Sequence, residues 1–383
     1  MPKILYCATV DYHFSAFHLP YMKWFKEQGW EVHVAAAGKT TLPFTDRKFN
    51  ITIQRSPFKT DNLRAYRELK AIIQENDYQI IHCHTPLGGV LARLAAREAR
   101  KRGTKVLYTA HGFHFCKGSS SVNWAVYYPI ERFLSRYTDC LITINDEDYL
   151  LATNHKFNAG EIKQIHGVGV DTERFKPAGL KGKEELRNMY GYDPEAFLMF
   201  YAAEFNKNKN QQHLLKMLAM IKDELPEARL LLAGEGSSLE ECKQLADRLG
   251  VSGMVDFLGL RKDIDRLLPM CDVSVASSFR EGLPVNVMEA MASGLPVAAI
   301  DNRGHKELIQ PNKNGFLTDK DNVELFANKI LLLAKNKELR NNLGTNGRTL
   351  IKSKYSVHRV LEEKAQLYTK FMSSREASQW EAR

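Results

Sequence analysis

Short apolar segments alternate with amphipathic helical segments along most of this 383-residue chain. The apolar segments are rich in aliphatic and β-branched residues, which is typical of strands buried on both faces of a parallel sheet. The helical segments between them supply the crossover connections that parallel strands need. The predicted strands cover residues 3–10, 31–37, 78–84, 105–111, 139–145, 196–205, 228–236, 254–259, 271–278 and 295–301. This alternation predicts the α/β class with doubly wound parallel sheets.

The alternation is interrupted in residues 167–187, where glycine, proline and lysine are frequent. Such a stretch is typical of a linker between domains. A chain of 383 residues is also longer than the size at which a single hydrophobic core stops growing. We therefore expect two doubly wound domains of similar size that face each other across a cleft, where a small molecule would bind.

The composition is ordinary for a globular protein, with 44% hydrophobic residues and a formal net charge of +9. This charge favours anionic partners such as nucleotides, acidic lipids or nucleic acid. Because the charge is spread out and no nucleic-acid-binding module is recognised, nucleic acid is disfavoured. The basic run 93–105 indicates either a solvated helix face or a contact with a membrane. Six cysteines without a Cys-x-x-Cys pair, and a first segment without a signal-peptide pattern, predict a cytoplasmic protein with free thiols.

The segment 280–296 reads REGLPVNVMEAMASGLP. It follows the predicted strand DVSVASS at 272–278 and predicts a tight turn and a helix that ends at Gly294. We expect Pro284 in the first turn of that helix. Free backbone N–H groups at the turn suit a diphosphate. Glu289 could accept hydrogen bonds from both hydroxyls of a ribose, and Glu281 would face the group beyond the phosphates. The alternative is that both glutamates are solvated surface charges, but the strand–turn–helix context favours a site.

Two loops of the second half are candidates for the same anion site. The loop NKNKN at 206–210 follows the first strand of this half and could bring Lys207 or Lys209 to the phosphates, and an ordinary polar loop is the alternative. The segment AGEG at 233–236 ends another strand with glycines that permit a close approach of backbone to ligand. It could equally be only a tight exit from the strand.

Histidines are concentrated in the first half. His111 follows the strand that ends in TAH, and it could hydrogen-bond a sugar hydroxyl or assist charge movement. His82 and His84 share one strand face in HCHTP, but no third ligand stands at a suitable spacing, so we interpret them as organisers of a loop and predict no metal site. His13 and His18 are weak candidates for function.

Together these segments resemble the retaining glycosyltransferases of family 4, which have the GT-B fold. The similar segments are HCHTP (82–86), TAHG (109–112), GVDTERFKP (169–177), LLLAGEG (230–236), FLGLRKDI (257–264) and REGLPVNVMEAMASGLPV (280–297). Within the family, the chain is similar to bacterial exopolysaccharide and capsule transferases of the EpsD kind. The resemblance implies two facing Rossmann-like domains with a deep interdomain cleft. Residues 1–175 would bind the acceptor, residues 176–358 would bind the nucleotide sugar, and a C-terminal helix in 359–383 would pack back on the first domain.

The resemblance also implies the reaction. A hexose or N-acetylhexosamine would pass from a nucleotide sugar, most often UDP-linked, to a glycan or lipid-linked acceptor, with retention of the anomeric configuration. No metal or other cofactor would be needed. The enzyme would work in the cytoplasm, and a peripheral contact with the anionic inner face of the plasma membrane is left open.

The roles that the resemblance implies for single residues fall mainly in the second half. Glu289 would bind the ribose, Lys209 would stabilise the leaving phosphate, and Arg261 would lie near the base or the phosphates. His111 would contact the sugar near the reacting carbon. Glu281 would hold the transferred sugar and the diphosphate together with the turn, which consists of Gly282, Leu283, Pro284 and Val285. Asn206, Glu204 and Gly234 complete the expected donor site.

Two departures from the family pattern affect these expectations. The loop after the first strand carries Tyr12, His13 and Phe14 where many members have two glycines, which puts the nature of the acceptor in doubt. Glu204 stands where arginine is common, and a carboxylate pointing at the diphosphate would repel it. We expect Glu204 either to pair with a cation such as Lys207 or to accept hydrogen bonds from hydroxyls or loop amides.

Other functions compatible with the sequence are a UDP-sugar epimerase on the same scaffold and a catalytically inactive nucleotide-binding interaction protein. A dehydrogenase is weakened because no Gly-x-Gly-x-x-Gly follows the first strand.

Overall fold

The structure is a computed structural model that describes residues 1–54, 56 and 59–372. The chain divides into two compact units, one formed by Met1–Gly169 with the segment from His358 onward, the other by Val170–Val357. The sequence analysis placed this boundary after residue 175 and began the returning segment at 359. The last 11 residues of that segment, 373–383, lie outside the described residues.

The first unit contains a fully parallel sheet with helices connecting its strands. Over the described residues the sheet has seven strands in the order β3-β2-β1-β4-β5-β6-β7. The strands are β1 Lys3–Val10, β2 Glu31–Ala37, β3 Arg47–Asn50, β4 Ile80–His84, β5 Lys105–Ala110, β6 Cys140–Thr143 and β7 Glu161–Gln164. The helices are α1 Tyr12–Phe17, α2 Leu19–Glu27, α3 Asp61–Asn76, α4 Pro86–Ala95, α5 Arg97–Lys101, α6 Ser121–Ser135, α7 Asp146–Asn154 and the returning α16 Val357–Phe371.

The second unit has a sheet of the same kind. Its described strands are ordered β10-β9-β8-β11-β12-β13. The strands are β8 Phe197–Ala202, β9 Ala228–Ala233, β10 Val255–Gly259, β11 Val273–Ala276, β12 Val297–Ile300 and β13 Gly315–Thr318. The helices are α8 Gly179–Tyr190, α9 Gln211–Ile221, α10 Leu239–Leu249, α11 Ile264–Met270, α12 Val285–Ala292, α13 Arg303–Leu308, α14 Val323–Lys335 and α15 Lys337–Leu350, with a 3₁₀ turn at Ser252–Met254 and a π-helical turn at Ile351–Tyr355.

Both faces of the first sheet are buried, as the apolar composition of its strands predicts. Along β1, Leu5 and Cys7 enter one hydrophobic cluster, whereas Ile4, Tyr6 and Ala8 enter the cluster on the opposite face, and all five are fully buried. Helix α16 contributes to the second cluster through the hydrophobic residues Val360, Leu367 and Tyr368. The α/β class with two doubly wound parallel sheets is therefore confirmed, and the six cysteines are free and buried.

The predicted linker is only partly irregular. Helix α8 begins at Gly179, so the second half of the stretch 167–187 is helical, and its Arg187 side chain is buried against the carbonyl of Met270 and the carboxylate of Asp272. Lys181, Lys183 and Arg187 are therefore helix residues of the second unit, whereas Arg174 and Lys176 precede the helix. The glycines and the proline that suggested a linker stand before and at the first turn of the helix.

None of the helices in the described ranges combines the length and the apolar composition that crossing a bilayer requires.

Candidate active site

The candidate site of the second unit lies where the strand order of its sheet reverses. Strands β8 and β11 are neighbours there, and open α/β sheets bind ligands beyond the carboxyl ends of such a pair. The loops that follow the two strands are joined by hydrogen bonds. The Phe279 N–H donates to the Asn208 carbonyl at 2.8 Å, and the Ser277 hydroxyl donates to the Lys209 carbonyl at 2.8 Å. The Asn208 side chain in turn donates to the Arg280 carbonyl at 3.0 Å.

Lys209 and Glu281 form an ion pair across these two loops. Nζ of Lys209 lies 2.5 Å from Oε1 of Glu281, and both side chains are partly buried. The Asn206 side chain holds the loop by accepting a hydrogen bond from the Lys209 N–H at 3.0 Å. The sequence analysis assigned Lys209 to the phosphate and Glu281 to the sugar, and the structure brings the two side chains together. A charge of each sign is thus presented at one point of the sheet edge.

Helix α13 and the residue before it hold the loop of Glu281 by hydrogen bonds. Nε of Arg303 donates to the Glu281 carbonyl at 3.0 Å, and the Asn302 side chain donates to the Ser278 carbonyl at 2.7 Å. Gly304 is packed so closely that an added Cβ would lie 2.6 Å from Cβ of Glu281. The sequence analysis missed these residues because they follow the next strand of the sheet and carry no motif of their own.

The turn before α12 has the predicted geometry except at its proline. Pro284 is the residue before the helix and has an extended backbone, whereas we expected it in the first helical turn. Leu283 and Pro284 are buried, and the Asn286 side chain donates to the Ala202 carbonyl at 2.9 Å, which fixes the start of α12 to the end of β8. The helix ends as predicted, with Gly294 at φ +80° just after it.

Glu289 lies within α12 and is half-buried. Its carboxylate accepts no hydrogen bond from the described part of the chain, and its burial raises the pKa of this group to about 7, moderated by the positive charge of Arg174 and reinforced by the negative charge of Asp265. Arg174 itself donates to Asp265 at 3.0 Å. Arg174 is a further residue that the sequence analysis missed, although the segment GVDTERFKP contains it. A partly buried carboxyl group that accepts no hydrogen bond from the described residues is suited to accepting hydrogen bonds from a ligand.

Two other predicted donor-site residues, Glu204 and Arg261, differ in their surroundings. Glu204 is exposed, and no ion pair or hydrogen bond of its carboxylate occurs among the described residues, so neither expected arrangement is formed. Nε of Arg261 donates to Asp263 at 2.9 Å, and its Nη2 donates to the same carboxylate at 2.5 Å. The hydrogen bonds from Arg261, opposed by partial burial and joined by one from Tyr190, lower the Asp263 pKa to about 2. Arg261 therefore already has a carboxylate partner.

Gly234 fits the interpretation of AGEG as a tight strand exit. Its φ is +143°, and an added Cβ would lie 2.0 Å from the Ala203 carbonyl oxygen. Gly236 is similar, with φ +149° and the Phe205 carbonyl oxygen 2.3 Å from the added Cβ. These glycines allow two backbone segments of the protein to meet, and this requirement alone explains them.

Four histidines of the first unit form a cluster at the carboxyl ends of β1, β4 and β5, again where the strand order reverses. His84 ends β4, His111 follows β5, and His13 and His18 come from the segment after β1. Each of these four brings a ring nitrogen within 4.8 Å of the others. Nε2 of His18 lies 3.1 Å from Nε2 of His13, and Nδ1 of His84 lies 3.2 Å from Nε2 of His111. These four residues form the histidine cluster.

Burial lowers the pKa of every member of the histidine cluster. The pKa of His13 falls to about 4, and those of the other three lie well below the ordinary value, with smaller contributions from neighbouring cationic groups. Nδ1 of His18 and Nε2 of His84 are buried without a hydrogen-bond partner among the described residues. His82 differs, because its two ring nitrogens contact the Tyr368 and Thr109 hydroxyls at 2.7 and 2.8 Å. The sequence analysis found no third ligand at a suitable spacing from His82 and His84, whereas the fold brings His13, His18 and His111 to His84.

Comparison with known proteins supplies the family. The chain matches the model "Glycosyl transferases group 1" over residues 182–350 and the model "Glycosyl transferase 4-like" over residues 3–145. It is 53% identical over 370 residues to EpsD of Bacillus subtilis (strain 168), which is assigned as a glycosyltransferase, with 97% of each chain covered. It is 26% identical to the UDP-Gal:alpha-D-GlcNAc-diphosphoundecaprenol alpha-1,3-galactosyltransferase of Escherichia coli, with 86% of this chain and 87% of the relative covered.

Solved structures supply the fold. The crystal structure of HepE from Anabaena in complex with UDP and glucose matches with a TM-score of 0.81 at 21% identity and covers 97% of this chain and 100% of that one. Sucrose-phosphate synthase from Thermosynechococcus elongatus matches with a TM-score of 0.81 at 20% identity, covering 97% and 98% of the two chains. The two doubly wound units thus have the architecture of GT-B proteins, and the chain belongs to the family 4 glycosyltransferases.

Proposed function

We propose that this protein is a retaining glycosyltransferase that transfers a hexose or N-acetylhexosamine from a UDP-sugar to a glycan or lipid-linked acceptor in surface polysaccharide synthesis. The observation that carries the proposal is the Lys209–Glu281 ion pair at the carboxyl edge of the second sheet, followed by a helix whose Glu289 carboxylate accepts no hydrogen bond from the described residues. The UDP complexes of HepE and the UDP-galactose donor in the name of the Escherichia coli relative support the choice of nucleotide.

In this proposal each group of the site has one task. Glu289 accepts hydrogen bonds from the ribose hydroxyls, and Glu281 accepts them from the sugar. As the bond between the anomeric carbon and the diphosphate breaks, the Lys209 ammonium and the first N–H groups of α12 stabilise the developing charge. The acceptor hydroxyl forms its bond to the anomeric carbon on the same face of the sugar, and its proton passes to an oxygen of the leaving diphosphate. The charged groups of the protein supply this stabilisation, so we propose that transfer proceeds without a metal.

The name of the Escherichia coli relative gives its acceptor as a sugar on diphosphoundecaprenol. A relative with a lipid-linked acceptor supports the same class of acceptor for this protein. EpsD, at 53% identity, supports a role in exopolysaccharide synthesis.

A panel of nucleotide sugars tests the proposed donor. A bound ligand stabilises the folded state by mass action, so the correct donor should raise the melting temperature more than the other nucleotide sugars do. The stabilising donor is then incubated with diphosphoundecaprenol-linked sugars and with soluble glycans, and the products are separated by chromatography. An equal response to every nucleotide, or none, would contradict the donor assignment.

The same incubation separates the two alternative functions. A UDP-sugar epimerase would convert the sugar without any acceptor. An inactive binding protein would be stabilised by the donor and yield no product with any acceptor.

We also propose that the protein works in the cytoplasm and contacts the anionic inner face of the plasma membrane through α6. The outward side chains Val122, Val126, Ile130 and Phe133 are 66%, 39%, 40% and 47% exposed, although all four are apolar. Their spacing places them on one stripe of the helix. A stripe of this length without polar side chains is unusual for a surface that faces only water.

Basic residues adjoin the C-terminal end of this apolar stripe. Arg132 is exposed on α6, and Arg136 is exposed directly after it. Nη1 of Arg100 donates to the Arg136 carbonyl at 2.9 Å, which connects α5 to this end of α6. Helix α5 also carries exposed Lys101. Basic residues near an anionic lipid surface contribute roughly 1 kcal/mol each, and insertion of apolar side chains adds to this. The combination of apolar stripe and positive charge favours an anionic bilayer as the partner.

Vesicle sedimentation tests the membrane contact. We expect the wild-type chain to bind vesicles that contain phosphatidylglycerol and to bind pure phosphatidylcholine vesicles much less. Replacing Ile130 and Phe133 together by aspartate should reduce binding by about tenfold or more, because two inserted apolar groups become charged. Met189→Asp in the second unit is the matched control, since Met189 is 68% exposed and lies outside the stripe. Equal binding of both variants would contradict the contact.

A further inference from the structure

The histidine cluster has the composition of a metal site. Four imidazoles from three separate chain segments converge, and each contributes a ring nitrogen within 4.8 Å of the other three. Imidazole nitrogen suits zinc, copper, iron and nickel, and four nitrogen ligands around zinc form a tetrahedron. The residues lie beside the carboxyl ends of three adjacent strands, so the backbone fixes where each ring starts.

The distances fit such an ion with small adjustments. With zinc–nitrogen bonds of about 2.0–2.1 Å, tetrahedral ligand atoms stand about 3.3 Å apart. The His13–His18 and His84–His111 pairs have nitrogens at 3.1 and 3.2 Å, already within a few tenths of that value. The two pairs must move closer together to bind one ion, because the four ligand nitrogens are separated by up to 4.8 Å. Rotation of the half-buried rings of His13 and His111 is the least costly route, since His18 and His84 are fully buried.

The contacts among the rings leave the cluster incompletely satisfied. A neutral imidazole has one donor and one acceptor nitrogen, so two pairs of rings use only half of the available nitrogens. Nδ1 of His18 and Nε2 of His84 are buried without a partner in the described structure. An ion bound by the other nitrogens of these two rings, Nε2 of His18 and Nδ1 of His84, would fix the ring protons on the two partnerless nitrogens.

We propose that His13, His18, His84 and His111 bind one Zn²⁺ ion that ties the segment after β1 to the ends of β4 and β5. This inference does not depend on the proposed glycosyl transfer. Its four ligands belong to the first unit, and one of them, His111, is the residue for which the resemblance implies a sugar contact.

One neighbouring group opposes the ion and provides a sharp test. The Lys364 side chain on α16 is buried, its Nζ lies 3.7 Å from the Tyr21 ring centroid, and this nitrogen has no hydrogen-bond partner among the described residues. Its positive charge acts on His13, His18 and His111. An ammonium group near the cluster repels a cation and would attract an anion. Replacing it therefore changes the binding of Zn²⁺ and of phosphate in opposite directions.

Equilibrium dialysis of the full chain against Zn²⁺, followed by metal analysis, tests the proposal. We expect one equivalent per chain, and a tetrahedral visible spectrum when Co²⁺ replaces Zn²⁺. His18→Ala and His84→Ala should each weaken binding by more than about tenfold, since loss of an outer-shell partner alone costs at least that much. Because these two residues are fully buried, the half-buried His13→Ala is the variant least disturbing to the fold, and circular dichroism checks all three. His155→Ala is the matched control, as this exposed histidine lies outside the cluster.

Lys364→Met decides between a cation and an anion. If the cluster holds Zn²⁺, this variant should bind the ion severalfold more tightly than the wild type. Binding of inorganic pyrophosphate instead of Zn²⁺, lost in Lys364→Met, would overturn the proposal. So would less than one equivalent of Zn²⁺ at saturation, or equal Zn²⁺ affinity in the wild type and in a folded His13→Ala variant.

Discussion

At the scale of single residues, Lys209 has to serve two partners. It pairs with Glu281 in the structure, and the proposed reaction needs its charge at the leaving diphosphate. A hydrogen bond to a charged group contributes about 1.5–3 kcal/mol, which corresponds to roughly ten- to a hundredfold in rate when it is made in the transition state. We therefore expect Lys209→Ala to lose at least about tenfold in kcat at saturating donor.

Two neighbouring variants serve as controls for this prediction. Lys207 is exposed in the same loop, so Lys207→Ala should change kcat little. Glu204 is exposed without a partner in the described structure, and Glu204→Arg should not raise kcat, because Lys209 and the helix N–H groups already supply the positive charge. A Lys209→Ala variant with normal kcat, or a faster Glu204→Arg variant, would contradict this description of the phosphate site.

Glu289 makes the stability of the free protein depend on pH. Its pKa is raised from 4.5 to about 7 by burial, so the folded state holds the proton more tightly than the unfolded state does. The resulting cost is absent below pH 4.5, grows as the pH rises toward 7 and is complete above it, at about 3 kcal/mol. We expect Glu289→Gln to be more stable than the wild type at pH 8, with a difference that shrinks toward pH 5. Urea unfolding at both pH values measures it, and a variant less stable at pH 8 would contradict the prediction.

At the scale of helices and strands, the outcome of sequence prediction depended on burial. Ten predicted strands correspond to strands of the two sheets. Nine of them are runs of apolar residues buried inside a sheet, and the tenth, β10, is a partly buried edge strand. The strands β3, β7 and β13 were not predicted. Each has four residues and lies at the edge of its sheet, and β3 and β7 contain mainly polar, partly exposed residues. Such strands form because a neighbouring strand offers its hydrogen bonds, which a local apolar pattern does not reveal.

The candidate site was predictable to the extent that it is local in sequence. Glu281 and Glu289 were assigned from one strand–turn–helix segment, and the structure contains that segment. Arg174 and Gly304 were missed because their neighbours, Glu289 and Glu281, are brought to them by the fold. The histidine cluster was missed for the same reason, as its members come from three strand ends.

The contact between helix α13 and the Glu281 loop gives a prediction about Gly304. Gly304→Ala would place a methyl group 2.6 Å from Cβ of Glu281, so the loop that holds Glu281 must move. A displacement of about 1 Å at a catalytic group can cost a hundredfold in rate, and we expect kcat to fall by about tenfold or more. Gly253→Ala is the matched control, because no atom lies within 4 Å of its added Cβ. Equal kcat values in these two variants would show that α13 does not position the loop.

At the scale of the whole molecule, the two units use the same kind of location for different chemistry. Each has a doubly wound parallel sheet, and each concentrates its polar side chains at the carboxyl edge where the strand order reverses. The first unit presents imidazoles there, together with the exposed apolar stripe of α6 elsewhere on its surface. The second presents carboxylates and a lysine. This difference in side-chain chemistry supports a nucleotide-sugar donor on the second unit.

The division of tasks between Glu289 and Glu281 is the central claim, and calorimetric titration with UDP measures it directly. UDP contains the ribose and the diphosphate but no transferred sugar. Glu289→Ala removes the proposed ribose contact and should weaken UDP binding by about tenfold or more, the value of a hydrogen bond to a charged group. Glu281→Ala removes only the proposed sugar contact and frees Lys209, so UDP should bind it at least as tightly as the wild type. Equal losses of UDP affinity in both variants, or no loss in Glu289→Ala, would contradict the claim.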